Sequence, residues 1–187
     1  THDSGGIVIC KDKSSLNIEA AKTKLSASLK RDYSKIAREW AYQNVPRRII
    51  AEEYISELGK DDLLDYKMYS FHGEPKLTVV CSDRFSKTET RMNFYDINWE
   101  PMGIHFGHYP PLPNEFPKPA TYEEMKRLTA ELSKDCPFLR VDFYEIKGRL
   151  YIGELTFFPG AGLEKFRPMS KDYELGEWLH LETVHRS

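Results

Sequence analysis

The chain has 187 residues, of which 40% are hydrophobic and 13% aromatic, so it can bury the core of one globular domain. Its 27 basic and 29 acidic residues leave a formal net charge of −2, which argues against a dedicated nucleic-acid-binding protein. No apolar run is long enough to predict insertion into a membrane, and three widely spaced cysteines exclude a disulfide framework. A reducing, cytoplasmic compartment is expected.

The first third of the chain predicts a helix between two strands. The apolar run at residues 7–10 predicts a strand. Apolar residues recur every three or four positions over residues 16–40 and predict a helix with one apolar face, which Pro46 ends. Residues 47–55 then predict a second strand.

Two β-hairpins are predicted in the rest of the chain. Residues 65–72 alternate in polarity and contain β-favouring aromatic residues, and residues 76–81 form the return strand. The clearest hairpin joins residues 138–146 to residues 150–158 through a turn at residues 147–148. Antiparallel hairpins with packed helices indicate an α+β fold.

A proline-rich segment and two helices complete the pattern. Residues 99–120 contain six of the 11 prolines, which predicts a long ordered loop. Thr121 to Glu124 has the sequence of a capping box, so a helix is expected to begin there. A shorter helix is predicted around residues 174–181, with Trp178 packed on the core.

The strongest functional signal is a pair of carboxylates in the last hairpin. Asp142 and Glu154 each interrupt an apolar, β-rich segment, where a carboxylate needs a partner. A two-residue turn would put them on opposite faces, because side chains alternate along a strand. A three-residue loop with Gly148 in the left-handed conformation would instead align Asp142, Glu154 and Thr156 on one face. Two converging carboxylates favour a hard cation such as Mg2+, and a pair bound to Arg or Lys is the structural alternative.

Two further features are suited to bind phosphate. The Ser and two Gly at residues 4–6 can present backbone N–H groups to a phosphate, although glycine-rich stretches are usually only flexible. Lys67 lies on a predicted strand and is suited to hold a fixed positive charge against a phosphoryl group. The alternative for Lys67 is a solvated position on an edge strand.

Several segments, taken in order, resemble the TupA-like ATP-grasp family. They are residues 1–6 (THDSGG), 38–55 (REWAYQNVPRRIIAEEYI), 65–73 (DYKMYSFHG), 141–144 (VDFY), 153–158 (GELTFF) and 175–178 (LGEW). The resemblance covers nearly the whole chain. It implies an ATP-grasp-like fold with a partial lid-like subdomain at residues 1–53 and a C-terminal subdomain at 54–187. The family's N-terminal subdomain would be missing from this chain.

The resemblance implies ATP-dependent ligation. An ATP-grasp enzyme activates a carboxylate as an acyl phosphate, which an amine then attacks to give an amide. The expected cofactors are ATP and Mg2+. Family members are associated with bacterial cell-surface polysaccharide biosynthesis, so the expected partners are a polysaccharide precursor and an amine or amino acid.

The resemblance also assigns the nucleotide to two segments. The first would form a loop over the phosphates, and the second a hinge strand whose backbone reads the adenine edge. Their residues are Ser4, Gly5 and Gly6 in the loop and Glu52, Glu53, Tyr54 and Ile55 in the hinge.

Catalytic and metal-binding roles follow from the same resemblance. Lys67 would lie beside the transferred phosphate, and Arg84 or Arg91 would steady the acyl phosphate. The two carboxylates, Asp142 and Glu154, would hold Mg2+.

Thr156 stands where many ATP-grasp enzymes have an Asn ligand. A hydroxyl is a poorer ligand than an amide oxygen, which puts a second metal ion in doubt. Two other functions therefore remain open. One is a metal-dependent glycosyltransferase, the label that many family members carry, and the other is a non-catalytic fragment that retains the fold.

Overall fold

A computed structural model describes residues 6–54, 63–82, 91–106 and 115–181. The chain divides into two compact units, Thr1–Ile55 and Ser56–Ser187. The assignment of residues 1–53 and 54–187 to ATP-grasp subdomains stays a prediction.

The N-terminal unit consists of short helices joined by irregular chain. Its helices are α1 (Ile18–Leu29) and α2 (Tyr33–Ile36), with single 3-10 turns at Lys13–Ser15 and Trp40–Tyr42. The side chain of Asn17 caps α1 by accepting a hydrogen bond from the Ala20 N–H at 2.9 Å. Of the described residues in this unit, only Ser34 and Glu39 are buried, so it has no hydrophobic core of its own.

The single helix predicted over residues 16–40 is wrong, because the chain leaves the helical path after α1. Asp32 begins the next short helix, and its carboxylate accepts a hydrogen bond from the Ser34 hydroxyl at 2.7 Å. The same carboxylate pairs with Arg47 at 3.4 Å. Local side-chain bonds of this kind compete with continuation of a helix.

The two strands predicted in the N-terminal unit are also wrong. Residues 7–10 and the described part of 47–55, including Glu52, Glu53 and Tyr54, form no strand. Their isoleucines are exposed, as Ile9 and Ile50 are at 56% and 74%. β-propensity alone does not form a strand, because an isolated extended segment leaves its backbone groups without a ladder partner.

An antiparallel sheet is the centre of the C-terminal unit. The strands of this unit are β1 (Asp65–Phe71), β2 (Glu74–Ser82), β3 (Arg91–Asp96), β4 (His105–Phe106), β5 (Phe138–Ile146), β6 (Arg149–Thr156) and β7 (Phe166–Arg167). Five of them form one sheet in the order β3-β2-β1-β5-β6, and β4 pairs with β7 separately. The two predicted hairpins are confirmed to within two residues at their ends, and the α+β fold class is confirmed.

The described residues of this unit form two α-helices, α3 (Tyr122–Ser133) and α4 (Met169–Gly176), and a 3-10 helix at Pro159–Gly162. The start of α3 is confirmed, but the predicted capping box does not form. Instead, the backbone N–H and the hydroxyl of Thr121 both donate to Glu145 at the end of β5. The last helix begins at Met169, directly after Pro168, so its predicted range of 174–181 is wrong.

Each face of the sheet packs on a separate apolar cluster. The first face packs on α3, and its cluster contains Tyr66, Met68, Val141, Phe143, Tyr122 and Met125. The second face packs on β4, β7 and α4, and its cluster contains Tyr69, Phe71, Val79, Phe94, Phe106 and Leu175. The second cluster covers only part of its face, since the residues that alternate onto that face at the start of β1 and along β5 are charged.

Candidate functional site

The turn and a β-bulge together place the two hairpin carboxylates. A two-residue turn of Lys147 and Gly148 joins β5 to β6, with φ of 51° and 74°, so the predicted three-residue loop is wrong. The register then shifts at Gly153, which has no partner on β5. As a result Asp142 lies opposite Glu154, and the bulge produces the alignment that the longer loop was expected to give.

The bulge depends on the absence of a side chain at Gly153. A Cβ built there would lie 2.6 Å from Cε2 of Tyr144, well inside contact distance. The Tyr144 ring therefore occupies the space that any other residue would need. Glycine in a strand often marks such a close approach.

Six polar side chains of three adjacent strands meet on the second face of the sheet, and we call them the polar cluster. They are Asp65 and Lys67 on β1, Arg140 and Asp142 on β5, and Glu154 and Thr156 on β6. Lys67 is the register partner of Asp142, which is in turn the partner of Glu154. The strands thus set the three charges in one row across the sheet.

Lys67 is held between two buried carboxylates. Its Nζ donates to Oδ2 of Asp65 at 2.7 Å and to Oδ2 of Asp142 at 2.5 Å. The Lys67 side chain is only 9% exposed, and the two carboxylate side chains are 1% and 3% exposed. Buried charges need such pairing, and here Lys67 fixes the position of the Asp142 carboxylate. Its expected role beside a transferred phosphate stays a prediction.

Arg140 binds Asp142 in a fork. Its Nε donates to Oδ1 at 2.6 Å and its Nη2 donates to Oδ2 at 2.8 Å. Nη2 also donates to the Thr156 hydroxyl at 3.0 Å and lies 3.6 Å from Oε1 of Glu154. Burial by itself lowers the pKa of Arg140, but Asp142, Tyr69 and Glu154 outweigh burial and raise it. The guanidinium therefore stays charged.

Tyr69 borders the cluster on β1. Burial raises the pKa of Tyr69 to about 12, and the nearby Asp142 and Glu164 carboxylates act in the same direction. The positive charge of Arg140 opposes them and lowers the pKa of Tyr69. Tyr69 is therefore a neutral hydroxyl at physiological pH.

The cluster presents two carboxylates that fit a divalent cation. Asp142 takes three charge-assisted hydrogen bonds, which leaves about one of its four lone-pair directions open. The Glu154 side chain is 36% exposed, and within the described residues its only hydrogen bond comes from Thr156. Mg2+ commonly uses one or two carboxylates and completes its shell with waters and phosphate oxygens, so this pair is sufficient.

A third protein ligand is not evident in the described residues. No group of three or more His, Cys, Asp and Glu side chains is placed there to hold a metal ion. The hydroxyl of Thr156 donates to Glu154 and accepts from Arg140, so it is engaged in orienting those two side chains.

Of the other predicted site residues, Arg91 is the one in the described part of the C-terminal unit, and it is not a member of the polar cluster. Arg91 begins β3, at the opposite edge of the sheet from β6, and pairs in register with Ser82. Arg84 lies outside the described residues, as do the candidates Ser4, Gly5 and Ile55. The remaining four, Gly6, Glu52, Glu53 and Tyr54, lie in irregular chain of the N-terminal unit.

The sequence-based predictions missed two members of the cluster, Asp65 and Arg140, and the bordering residue Tyr69. Each stands two positions from a residue that was identified, so strand alternation puts it on the same face. The alternation of Arg140 with Asp142 in an otherwise apolar strand was the available signal.

None of the helices in the described ranges has the length and apolar character needed to cross a bilayer.

No curated protein and no solved structure matches the chain. The family model of TupA-like ATPgrasp matches residues 1–180. The chain therefore belongs to the TupA-like ATP-grasp family, and membership of this family, which generally uses ATP and Mg2+, indicates an ATP-dependent, ligase-like function.

Proposed function

We propose that the protein is an ATP-dependent carboxylate–amine ligase that acts in cell-surface polysaccharide biosynthesis. A carboxylate oxygen bonds to the γ-phosphorus of ATP as the bond to the oxygen of ADP breaks. The amine nitrogen then bonds to the acyl carbon, inorganic phosphate leaves, and the nitrogen gives up a proton. Family membership supports the reaction class. The biosynthetic setting rests on what the family resemblance implies.

The observation that carries the proposal is the row of Lys67, Asp142 and Glu154 across three strands. Phosphoryl transfer depends on positioning and charge neutralisation, and it needs no protein nucleophile. A central sheet holds its side chains more rigidly than a loop does, and this row opens to solvent at Glu154.

The two carboxylates of the row, Asp142 and Glu154, would hold Mg2+. Bound there, the ion would supply neutralising charge for the phosphate oxygens. The hydrogen bond from Lys67 holds the Asp142 carboxylate in place, and the Thr156 hydroxyl orients the Glu154 carboxylate. The Nη2 group of Arg140 lies 3.6 Å from Oε1 of Glu154 and would be the donor that meets an anionic substrate group.

The N-terminal candidates complete the proposal from the family resemblance. Residues 4–6 would cover the phosphates, and residues 52–55 would bind the adenine through their backbone. Arg84 or Arg91 would steady the acyl phosphate.

Calorimetric titration of Mg-ATP into the full chain tests the proposal. Asp142→Asn and Glu154→Gln should each abolish measurable binding, because each removes one of two metal carboxylates. Glu131→Gln is the matched control, since Glu131 lies on α3 with its side chain 68% exposed. It should bind like the parent chain.

Product analysis separates the ligase from a glycosyltransferase. With a carboxylate and an amine present, release of ADP and phosphate in equal amounts is expected. Release of a nucleoside diphosphate from a sugar nucleotide, with no turnover of ATP, would overturn the proposal. So would full Mg-ATP affinity in both carboxylate variants.

A further inference from the structure

The guanidinium of Arg140 lies between the two carboxylates that are proposed to hold Mg2+. One nitrogen, Nη2, is 2.8 Å from Oδ2 of Asp142, 3.0 Å from the Thr156 hydroxyl and 3.6 Å from Oε1 of Glu154. A divalent cation bound by Asp142 and Glu154 would lie beside the positively charged Nη2 group and be repelled by it. The carboxylate pair therefore already has a positive partner within the protein.

We propose that Arg140 is the resident counter-ion of the carboxylate pair. It disfavours binding of a bare divalent ion and yields to the metal–nucleotide complex. The inference rests on the proposed function and describes how metal entry to that same site is regulated.

The charge balance of the polar cluster supports this selectivity. Its three carboxylates, Asp65, Asp142 and Glu154, face two cations, which leaves one net negative charge. A bare divalent ion would add two positive charges beside the guanidinium, and repulsion at such short range is strong in a partly buried site. A metal ion that arrives with a nucleotide brings its own phosphate oxygens. These give the planar guanidinium, once displaced, a bidentate anionic partner.

Of the two cations in the cluster, Arg140 is the one placed to move. Lys67 is held on both sides by Asp65 and Asp142, on the central strand of the sheet. Arg140 contacts the solvent-facing member of the cluster, since the Glu154 side chain is 36% exposed and that of Asp65 is 1% exposed. The open side of the cluster is therefore beside Arg140.

Titration of Mn2+ alone, followed by the electron paramagnetic resonance of the free ion, tests the proposal in the full chain without nucleotide. Arg140→Met should bind Mn2+ tighter than the parent chain by about tenfold or more, because removal of the guanidinium leaves two net negative charges. Arg140→Lys should bind Mn2+ with intermediate affinity. The lysine ammonium group keeps the positive charge but cannot form bidentate hydrogen bonds with the carboxylates. Equal or weaker Mn2+ binding by both variants would overturn the proposal.

Two controls keep the result specific. Arg149→Met removes an exposed arginine of the same hairpin, whose guanidinium lies over the Tyr151 ring, and should leave Mn2+ affinity unchanged. Asp142→Asn added to Arg140→Met should remove the gain. Circular dichroism is used to check that each variant is folded. If Arg140→Met does not fold, Arg140→Lys still tests the proposal.

A parallel Mg-ATP titration separates this inference from the proposed function. Normal Mg-ATP binding by the parent chain, with no gain in Mn2+ affinity in either variant, would refute the counter-ion and leave the ligase intact. If the Arg140 variants gain Mn2+ affinity but the parent chain does not bind Mg-ATP, the result would support the counter-ion role of Arg140 and refute the ligase proposal.

Discussion

At the scale of single residues, Lys67 is the charge on which two buried carboxylates depend. Lys67→Met would leave Asp65 and Asp142 buried with one partner fewer, which typically costs about 3–5 kcal/mol. Lys76→Met is the matched control, because Lys76 forms an ion pair with Glu74 on the same strand, β2. The Lys76 side chain is 29% exposed and that of Glu74 is 69% exposed. That pair is expected to contribute less than about 1 kcal/mol. Urea unfolding followed by fluorescence measures both losses, and equal losses would contradict this account of Lys67.

The raised pKa of Tyr69 predicts a loss of folding stability at alkaline pH. Its ordinary pKa of 10.0 is raised to about 12 in the folded chain, first by burial. Between these values the folded chain keeps the phenol proton and the unfolded chain releases it, so stability falls as the pH rises through this window. The full effect of this one group is roughly 2–3 kcal/mol.

Urea unfolding at a series of pH values between 9 and about 11.5 measures this loss. Tyr69→Phe has no proton to release, so its stability should fall less steeply over that range. Tyr173→Phe, at a side chain 71% exposed, should follow the parent curve. The same slope in the parent chain and Tyr69→Phe would show that Tyr69 does not carry the effect.

At the scale of elements, the β6 bulge decides whether Glu154 faces Asp142. Gly153→Ala would force a Cβ into the Tyr144 ring at 2.6 Å, so either the ring moves or the register slips. We expect a loss of about 1–3 kcal/mol in thermal unfolding. Gly176→Ala, at a helical position with no atom within 4 Å of the new Cβ, should be neutral or slightly stabilising.

A double-mutant cycle shows whether the Tyr144 ring is the cause. Tyr144→Ala removes the ring, so adding Gly153→Ala to it should cost much less than in the parent chain. Additive losses would mean that the glycine is needed for some other reason.

The same hairpin shows what could be read from the sequence. The strands of β1–β2 and β5–β6 were predictable, because alternation and a tight turn are local properties. The bulge was not, since it depends on how the Tyr144 ring packs across the strands. The predicted alignment of Asp142 with Glu154 holds for a reason different from the one expected.

The two strands that were wrongly predicted in the N-terminal unit show what the sequence could not predict. Residues 7–10 and 47–54 have the β-branched composition of strands, but the structure shows no ladder partner for them in the described residues. Pairing is a tertiary property that composition does not reveal. Arg140 was missed for a related reason: its alternation with Asp142 indicates an ion pair only once Asp142 is known to be buried.

At the scale of the whole molecule, the two units differ in how they are stabilised. Every buried hydrophobic residue of the described chain lies in the C-terminal unit. The helices α1 and α3 provide a direct comparison, since each has 12 residues. α1 has no buried residue, whereas α3 buries Tyr122, Met125, Thr129 and Ser133.

Native-state hydrogen exchange of the full chain should separate these helices. A 12-residue helix that buries none of its residues is only marginally stable in water, so the amides of α1 should open locally and exchange early. Those of α3 should be slower by about 100-fold or more, because their exchange requires opening of the sheet core. The amides of β1, which is central in the sheet, are the internal reference for the slowest class. Equal protection of α1 and α3 would contradict the burial difference and show that α1 is covered in solution.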